Sequence, residues 1–400
     1  MKVKNWEVGS HWFGDLDGKE YQNSDLSYIY KIPATACQPI EPLEMEFLST
    51  CRSAIGKSID NISFVGDDND VALVPAFTCQ SVLEPFIQRR IKCIPYPINM
   101  DLSIDVETLF DLIKEHIIRP CRIFRPCRIL IHAYFGFDTL VELRRKLKEE
   151  DCFMHLCTIE DRTQSMFSNL PKLETVTKVG SIRKWFPIPD GSYVAYDIDP
   201  DDQISHEQFF GCYPEHTDLI DAKKLAFRLK NNYIMKGEGS KNIYMQFYSA
   251  AEQILNSRTT CYAMSTASKN YLSHVDYDAM KIQRINNYQL LSNRLRKHEP
   301  YIHTLFPEVE NGIVPFMLPV LIREKRKEFQ DFMAKHNVFP TIIWSCPDTF
   351  RPFIYGSGKS KINYSDTKAL YDSILCFHID QRYNERDMEK VADIIDQFSF

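Results

Sequence analysis

Short apolar segments alternate with amphipathic segments between residues 71 and 161, and this alternation restricts the chain to a small group of folds. A continuous apolar run is typical of a buried strand, whereas apolar residues at helical spacing indicate a helix with one buried face. Strands joined in turn by helices pair in parallel and are covered by helices on both faces. The expected strands are Val71 to Val74, Lys92 to Tyr96, Arg128 to Tyr134 and Phe153 to Ile159, with helices after Thr78 and over Asp105 to Ile118 and Leu140 to Glu149. The sequence therefore predicts an α/β protein whose large domain is a three-layer α/β/α unit with a mostly parallel sheet.

The pattern changes after about residue 200, where helices dominate before strands and helices alternate again. Helices are expected over Ala222 to Met235, Tyr244 to Asn256, Asp276 to His298, Glu324 to His336 and Glu385 to Phe398, and strands over Gly312 to Ile322 and Val338 to Trp344. This second alternation predicts a smaller C-terminal α/β domain. We expect three parts: an N-terminal segment of residues 1–40 that packs on the small domain or on a partner subunit, a large domain of residues 41–270 that carries the binding site, and the small domain of residues 271–400.

The overall charge and the cysteine spacing exclude several classes of function. A net charge of −6 and a pI near 6.0 argue against nucleic acid or an anionic membrane as a partner. The first residues lack the apolar core of a signal peptide, and no apolar run approaches the roughly 18 residues of a membrane span. The 12 cysteines include no Cys-x-x-Cys pair of the kind that binds zinc. We therefore expect a cytoplasmic protein with reduced thiols and no metal site.

Three polar segments of the sequence match the needs of one cofactor. Glu160-Asp161 ends a predicted strand, and Gln164 follows three residues after Asp161. Lys184, the last residue of Ser181-Ile182-Arg183-Lys184, lies 23 residues after Asp161. Ser49-Thr50-Cys51 precedes a predicted helix. Pyridoxal phosphate needs a carboxylate at its ring nitrogen and a lysine at its aldehyde, and its phosphate suits backbone N–H groups at a helix N-terminus. The order of these three features along the chain therefore predicts a pyridoxal phosphate site.

Each of these residues also has a structural interpretation without chemistry. Asp161 could cap the helix after its strand, and Lys184 could be a solvated surface lysine. Thr50 could be a helix cap, a role that is compatible with binding phosphate. We favour the functional interpretation for Asp161 and Lys184 because they occur together with Gln164. Arg183 and the apolar Trp185 beside Lys184 would lower the pKa of its amine through charge and desolvation. His132, within a predicted strand, is interpreted as a buried core histidine.

The segments from Leu48 to Ile55, Val74 to Cys79, His132 to Phe137, Ile159 to Ser165 and Ser181 to Lys184 resemble the DegT/DnrJ/EryC1/StrS family of sugar aminotransferases. The resemblance spans residues 45 to 200 and implies the aspartate-aminotransferase-like fold type I of pyridoxal phosphate enzymes. It further implies that Asp161 pairs with the ring nitrogen, that Gln164 lies near the phenolic oxygen, and that Lys184 forms the Schiff base. Ser181 and the backbone of Thr50 and Cys51 would hold the phosphate.

The chain departs from the family pattern in three places. Cys79 stands where most relatives have an aromatic residue, so either Cys79 or Phe77 is expected to cover the cofactor ring. The segment after Lys184 lacks the family's glycine-rich run. The loop that reaches the neighbouring subunit's phosphate has only a partial counterpart around Gly239 to Met245, where Asn242 is the candidate contact and a helix cap is its alternative role. Sites of this family are completed by a second subunit, so the resemblance implies a homodimer.

These features together predict a pyridoxal-phosphate-dependent aminotransferase. By resemblance, its small-molecule substrates would be glutamate as amino donor and a keto-sugar nucleotide as acceptor, with the product used in surface polysaccharide biosynthesis. Asp161 and Lys184 would equally serve a dehydratase or a lyase on the same scaffold. A catalytically degenerate module that binds the cofactor without turnover is the other alternative, because the ring-covering and post-lysine segments differ from the family.

Overall fold

A computed structural model describes residues 4–9, 11–14, 44–61, 70–117, 127–149, 156–173, 176–196, 213–257, 261–356 and 361–400. The strands are β1 (Val8–Gly9), β2 (Glu44–Leu48), β3 (Val71–Pro75), β4 (Lys92–Tyr96), β5 (Cys127–Ile131), β6 (Leu156–Asp161), β7 (Val176–Gly180), β8 (Ser192–Tyr196), β9 (Ile302–Thr304), β10 (Leu318–Ile322), β11 (Val338–Phe339) and β12 (Ile374–Phe377). The α-helices are α1 (Cys51–Asn61), α2 (Gln80–Gln88), α3 (Val106–Ile117), α4 (Val141–Glu149), α5 (Thr217–Asn231), α6 (Lys241–Ser257), α7 (Thr266–Leu272), α8 (Tyr277–Leu295), α9 (Arg326–Lys335), α10 (Arg351–Ile354), α11 (Ser365–Ser373) and α12 (Glu385–Ile395).

A seven-stranded, mostly parallel sheet forms the centre of the molecule, with the strand order β2-β8-β7-β6-β5-β3-β4. The four neighbouring pairs from β7 to β4 are all parallel. Ala72, Leu73 and Val74 of β3 are fully buried, as expected for a strand that is covered on both faces. This architecture confirms the predicted α/β class with a mostly parallel sheet.

Two successive antiparallel pairings at one side of the sheet decide where α1 begins. Strand β8 is antiparallel to β7, and β2 is antiparallel to β8. The two reversals give β2 the direction of β7, so its carboxyl end lies at the same edge as the carboxyl ends of the parallel strands. Residues 49 and 50 follow β2 directly, and α1 therefore starts at this edge.

The helix after β3 buries one apolar face, as its amphipathic pattern predicts. On α2, the side chains of Val82, Leu83 and Phe86 are buried against the core, as their spacing predicts. Ile87 continues the apolar spacing of this helix, but its side chain is 43% exposed. The reason is geometric, because position 87 is rotated about 100° from position 86 and lies at the border of the buried stripe.

The C-terminal part of the chain builds a second, smaller sheet with the order β12-β10-β9, and both of its pairings are antiparallel. Helices α8 and α12 pack against each other beside it. This unit confirms the predicted smaller C-terminal α/β element, although the boundaries at residues 40 and 270 stay predictions.

The predicted strand from Val338 to Trp344 is wrong in its length. Only Val338 and Phe339 pair, in parallel with Val8 and Gly9 near the N-terminus. Thr341 makes one further bridge to Cys376, and the chain then leaves the sheet before Trp344. Pairing with residues 8 and 9 could not be foreseen from local pattern. Residues 1–3, 10 and 15–40 of the predicted N-terminal segment lie outside the described residues.

Among the described residues, none of the helices combines the length and the apolar character that crossing a lipid bilayer requires.

Candidate active site

A cleft of about 680 Å³ opens at the carboxyl edge of the central sheet. Strands β3, β5, β6 and β7 all end there, and parallel α/β sheets bind ligands at this edge. Seven of the residues predicted from the sequence line this one cleft: Thr50, Cys51, Cys79, Asp161, Gln164, Ser181 and Lys184. The structure therefore brings together side chains that are spread over 135 positions of sequence, from 50 to 184.

The N-terminus of α1 forms one end of the cleft. The hydroxyl of Thr50 accepts a hydrogen bond from the backbone N–H of Ser53 at 3.2 Å, which is a helix cap. The first-turn N–H groups of Cys51 and Arg52 have no carbonyl acceptor within the helix, as at every helix start. The cap and these two donors make this end of the cleft suitable for an anion.

Thr163 connects the two predicted catalytic segments. Its backbone N–H donates to Asp161 Oδ1 at 2.9 Å, and its hydroxyl accepts from the N–H of Ser181 at 3.0 Å. Its carbonyl accepts from the indole Nε1 of Trp185 at 2.7 Å. The end of β6 and the turn that carries Lys184 are therefore held in one arrangement by a single residue.

Lys184 ends a short 3₁₀ turn, Ile182–Lys184, between β7 and β8. Ile182 and Trp185 on either side are fully buried in the core and anchor the turn. Trp185 is further fixed by the guanidinium of Arg284, 4.4 Å from its ring, and by Gln381, which donates to its carbonyl at 2.7 Å. Lys184 itself is exposed to the cleft, so the expected desolvation of its amine is not found.

Gln164 and an apolar wall complete the lining. Gln164 is buried, and its Oε1 accepts a hydrogen bond from the N–H of Phe135 at 2.8 Å. The wall consists of Phe316, Ile343 and Trp344, which come from the C-terminal part of the chain. The cleft thus lies between the central sheet and the segments around the smaller sheet.

Phe77 does not line the cleft, and the expectation that it covers a ligand ring is corrected. Its side chain is fully buried and packs against the rings of Tyr134, Trp344 and Tyr371 at centroid distances of 4.8–5.7 Å. The physical reason is that this aromatic pocket of the core removes a large apolar ring from water, which the open cleft would not do. Of the two alternatives only Cys79 lies in the cleft, where its Sγ is 2.9 Å from the hydroxyl of Ser81.

Asn242 lies at the start of α6, is exposed, and is not among the residues that line the cleft of its own chain. Its expected contact with the phosphate site of a partner subunit stays a prediction.

Burial and the charges of the cleft shift the pKa values of two further groups, the Cys51 thiol and the His132 imidazole. Burial raises the pKa of the Cys51 thiol well above its usual value, and the Asp161 carboxylate raises it further, whereas Lys184 lowers it. Burial also lowers the pKa of His132, against the opposing effect of Asp161. Cys51 and His132 are therefore neutral groups beside the Asp161 carboxylate at neutral pH.

Several residues that line or order the cleft were not predicted to do so. Thr163 and Arg183 lie next to predicted residues and could have been found from that proximity. His132 is buried, as expected, but it also faces the cleft and stacks against Trp344 at 5.7 Å. Phe316 and Trp344 are distant in sequence and carry no local signal.

Comparison with known proteins gives matches only at the level of structure. No family model matches the sequence, and a search of curated proteins finds none. An X-ray structure of S. venezuelae DesV in complex with a ketimine intermediate is 15% identical, covers 95% of this chain and 90% of its own, and has a TM-score of 0.61. Helicobacter pylori PseC, an aminotransferase involved in the biosynthesis of pseudoaminic acid, is 12% identical with 98% of both chains covered and a TM-score of 0.61.

A DegT DnrJ EryC1 StrS aminotransferase from Brucella abortus is 13% identical, covers 92% of this chain and 89% of its own, and has a TM-score of 0.58. Identities this low establish the fold and not the reaction. The resemblance predicted from the sequence is thereby confirmed in three dimensions: the chain has the fold of the DegT/DnrJ/EryC1/StrS-type sugar aminotransferases.

Proposed function

We propose that this protein is a pyridoxal-phosphate-dependent aminotransferase that transfers an amino group from glutamate to a keto-sugar nucleotide, as a cytoplasmic homodimer whose product enters surface polysaccharide biosynthesis. The observation that carries the proposal is the convergence of Asp161, Lys184 and the N-terminus of α1 in one cleft. These groups come from three different elements, so their convergence is a property of the fold and not of one local motif.

The residues of the cleft fit this cofactor. Asp161 offers an acceptor for the ring nitrogen. The N–H of Thr163 donates to Oδ1 of Asp161, and within the described chain Oδ2 has no hydrogen-bond partner. The α1 N-terminus and Ser181 suit the phosphate, and Lys184 would carry the group covalently. When bound, pyridoxal phosphate supplies an aldehyde and an electron-withdrawing ring.

The protein's own residues would bind, orient and move protons. Asp161, 6% exposed, would hold a proton at the ring nitrogen by charge and hydrogen bonding. The exposed Nζ of Lys184 would take the proton from the α-carbon of the amino donor and, in the second half of the reaction, deliver a proton to the acceptor carbon that receives the amino group. Thr163 and the buried Trp185 would keep the Lys184 turn fixed while the Nζ moves.

The substrate class rests on the structural neighbours. DesI was solved in the presence of its TDP-sugar product, and CalS13 from Micromonospora echinospora is a sugar aminotransferase. The proposed acceptor is therefore a nucleotide-linked keto-sugar, the class to which the product of DesI points.

An absorbance spectrum tests the proposal. Protein loaded with pyridoxal phosphate should show the visible band of a lysine-bound cofactor, and glutamate should remove it. Lys184→Ala should lack the band, whereas Lys327→Ala, which removes an exposed lysine paired with Asp331, should keep it. A band that persists in Lys184→Ala would refute the assigned lysine. A band that glutamate leaves unchanged would favour another reaction or a binding module.

A further inference from the structure

Arg183 faces the cleft with part of its hydrogen-bonding capacity unused. It precedes Lys184 in the 3₁₀ turn and is half-buried. Its Nε is buried and has no hydrogen-bond partner, and among the described residues its guanidinium makes no ion pair. A buried donor without an acceptor is unfavourable, and a guanidinium is strongly suited to an oxyanion. The arrangement indicates that an anion belongs beside this side chain.

The charges around Arg183 support the same conclusion. Glu252 is the nearby carboxylate, and its Oε1 is bound by Lys223 Nζ at 2.6 Å. Burial raises the pKa of Glu252, but Arg183 and Lys223 lower it to about 2, so the carboxylate stays charged. Three cations, Arg183, Lys223 and Arg52, therefore act on this one carboxylate, and Lys223 already holds its Oε1.

The position of Arg183 indicates which kind of anion its guanidinium would bind. Arg52, in the first turn of α1, also lowers the pKa of Glu252, so Arg52 and Arg183 both lie near that carboxylate. Arg183 lies in the turn between β7 and β8, the two strands against which α1 packs, and it lines the cleft together with Thr50 and Ser181. The donors in this part of the cleft are the N-terminus of α1 and, from the turn that carries Lys184, the hydroxyl of Ser181 and the guanidinium of Arg183. Such a set suits a tetrahedral phosphate better than a planar carboxylate.

We propose that Arg183 binds the phosphate of the cofactor that its own subunit holds. This inference rests on the proposed function. Arg52 contributes less, because its Nε is bound to Glu84 at 2.5 Å and its Nη2 to Asn256 at 2.9 Å. Among the described residues, the terminal Nη atoms of Arg183 have no hydrogen-bond partner, so these are the donors available to the ligand.

The test compares two ligands that differ only in the phosphate. Binding of pyridoxal phosphate and of pyridoxal to the cofactor-free protein is measured at equilibrium. Arg183→Gln should weaken binding of pyridoxal phosphate by about 10- to 100-fold, the range expected for lost charge-assisted hydrogen bonds, and leave pyridoxal within about twofold. Arg183→Lys should recover part of the loss, because it keeps the charge without the planar fork. Arg145→Gln, a surface arginine paired with Glu142 and Glu149, is the matched control and should change neither ligand.

Three other outcomes would overturn the assignment. Equal loss for both ligands would mean that Arg183 supports the fold, and Arg183→Lys decides this point if Arg183→Gln is unstable. Unchanged cofactor binding with a raised KM for glutamate would assign Arg183 to the amino donor's carboxylate. Wild-type protein that binds neither ligand would refute the proposed function itself, and this result differs from a loss seen only in the variants.

Discussion

Thr163 is the residue through which the two halves of the candidate site are coupled. Its hydroxyl is the acceptor for the N–H of Ser181, and valine has nearly the same shape without that acceptor. Thr163→Val should destabilise the protein by about 1–2 kcal/mol, because a buried N–H loses its partner. Activity should fall by about tenfold as the Lys184 turn loosens. Urea unfolding and kcat/KM measure the two effects, and exposed Thr349→Val serves as control. An unchanged kcat/KM would show that the turn is held by Trp185 alone.

Asp161 can be tested with a substitution that conserves its structural hydrogen bond. In Asp161→Asn the amide oxygen can still accept from the N–H of Thr163, so the fold and its thermal midpoint should be kept. Activity should fall about 100-fold or more, because a neutral amide cannot hold a proton at the ring nitrogen. Asp161→Ala with wild-type turnover and cofactor affinity would mean that the carboxylate only caps the following turn.

The alkylation rate of Cys79 tests whether a ligand covers the face of the cleft on which this thiol lies. It is half-buried at the start of α2 and lines the cleft, so bound cofactor should slow its alkylation. Cys79→Tyr should keep or tighten cofactor binding by adding stacking area. Phe77→Ala should instead lower stability by about 3–5 kcal/mol, the cost of a large cavity in the core. Mass spectrometry of alkylated peptides gives the rates, and equal rates with and without cofactor would contradict this placement.

At the scale of elements, the N-terminal residues 4–9 and 11–14 illustrate how a short segment is fixed by distant parts of the chain. The ring of His11 stacks on Tyr248 of α6 at 4.1 Å. Its carbonyl accepts from Lys230 Nζ of α5 at 2.5 Å and from Arg382 Nη1 at 3.0 Å. Glu7 forms an ion pair with the same lysine at 2.9 Å. This docking depends on His11 staying neutral.

The stability of this docking should depend on pH. Burial lowers the pKa of His11 to about 4, and Lys223, Lys230 and Arg382 lower it as well, whereas Glu252 opposes them. Because the unfolded histidine titrates at its ordinary value of 6.5, the folded state binds fewer protons below that pH, and stability is lost as pH falls from about 6.5 to about 4. The loss is of the order of 3 kcal/mol. His11→Phe keeps the stacking and removes the titration, so its unfolding free energy should change less over this interval. Parallel curves for both proteins would exclude His11 as the source.

The element order shows what could be inferred from the sequence and what could not. Asp161 and Ser181 were found because a polar residue at the end of a buried strand is a local signal. Phe77 and Cys79 lie two positions apart after β3, and only the packing of the core decides which one faces the cleft. Trp344 was assigned to a strand because it ends an apolar run that begins at Val338. Nothing nearby in sequence reveals that the paired part of this run is Val338 and Phe339, whose partners are Val8 and Gly9.

At the scale of the whole molecule, the chain should be a homodimer. Asn242 and the apolar Ile243, which is 46% exposed, lie together at the start of α6, where a partner subunit could cover them. Sedimentation at micromolar concentration should give about twice the chain mass of 46.8 kDa. Asn242→Ala should weaken cofactor binding severalfold if this residue reaches the partner's phosphate, whereas Gln253→Ala, at an exposed position of the same helix, should leave it unchanged. A monomer with full cofactor binding and turnover would contradict the prediction.

The walls of the cleft are contributed by residues as far apart as Thr50 and Trp344, and this has a thermodynamic consequence for the entire chain. A ligand held between them can bind only when the central sheet and the C-terminal segments are folded at the same time. Occupancy therefore acts on the unfolding equilibrium of both parts, and a ligand at about 100 times its Kd adds about 2.7 kcal/mol to stability. Melting curves followed in the large sheet and in the C-terminal part should shift upward together with ligand concentration. Cellular cofactor supply would then set not only how much of this protein is active but how much of it survives proteolysis.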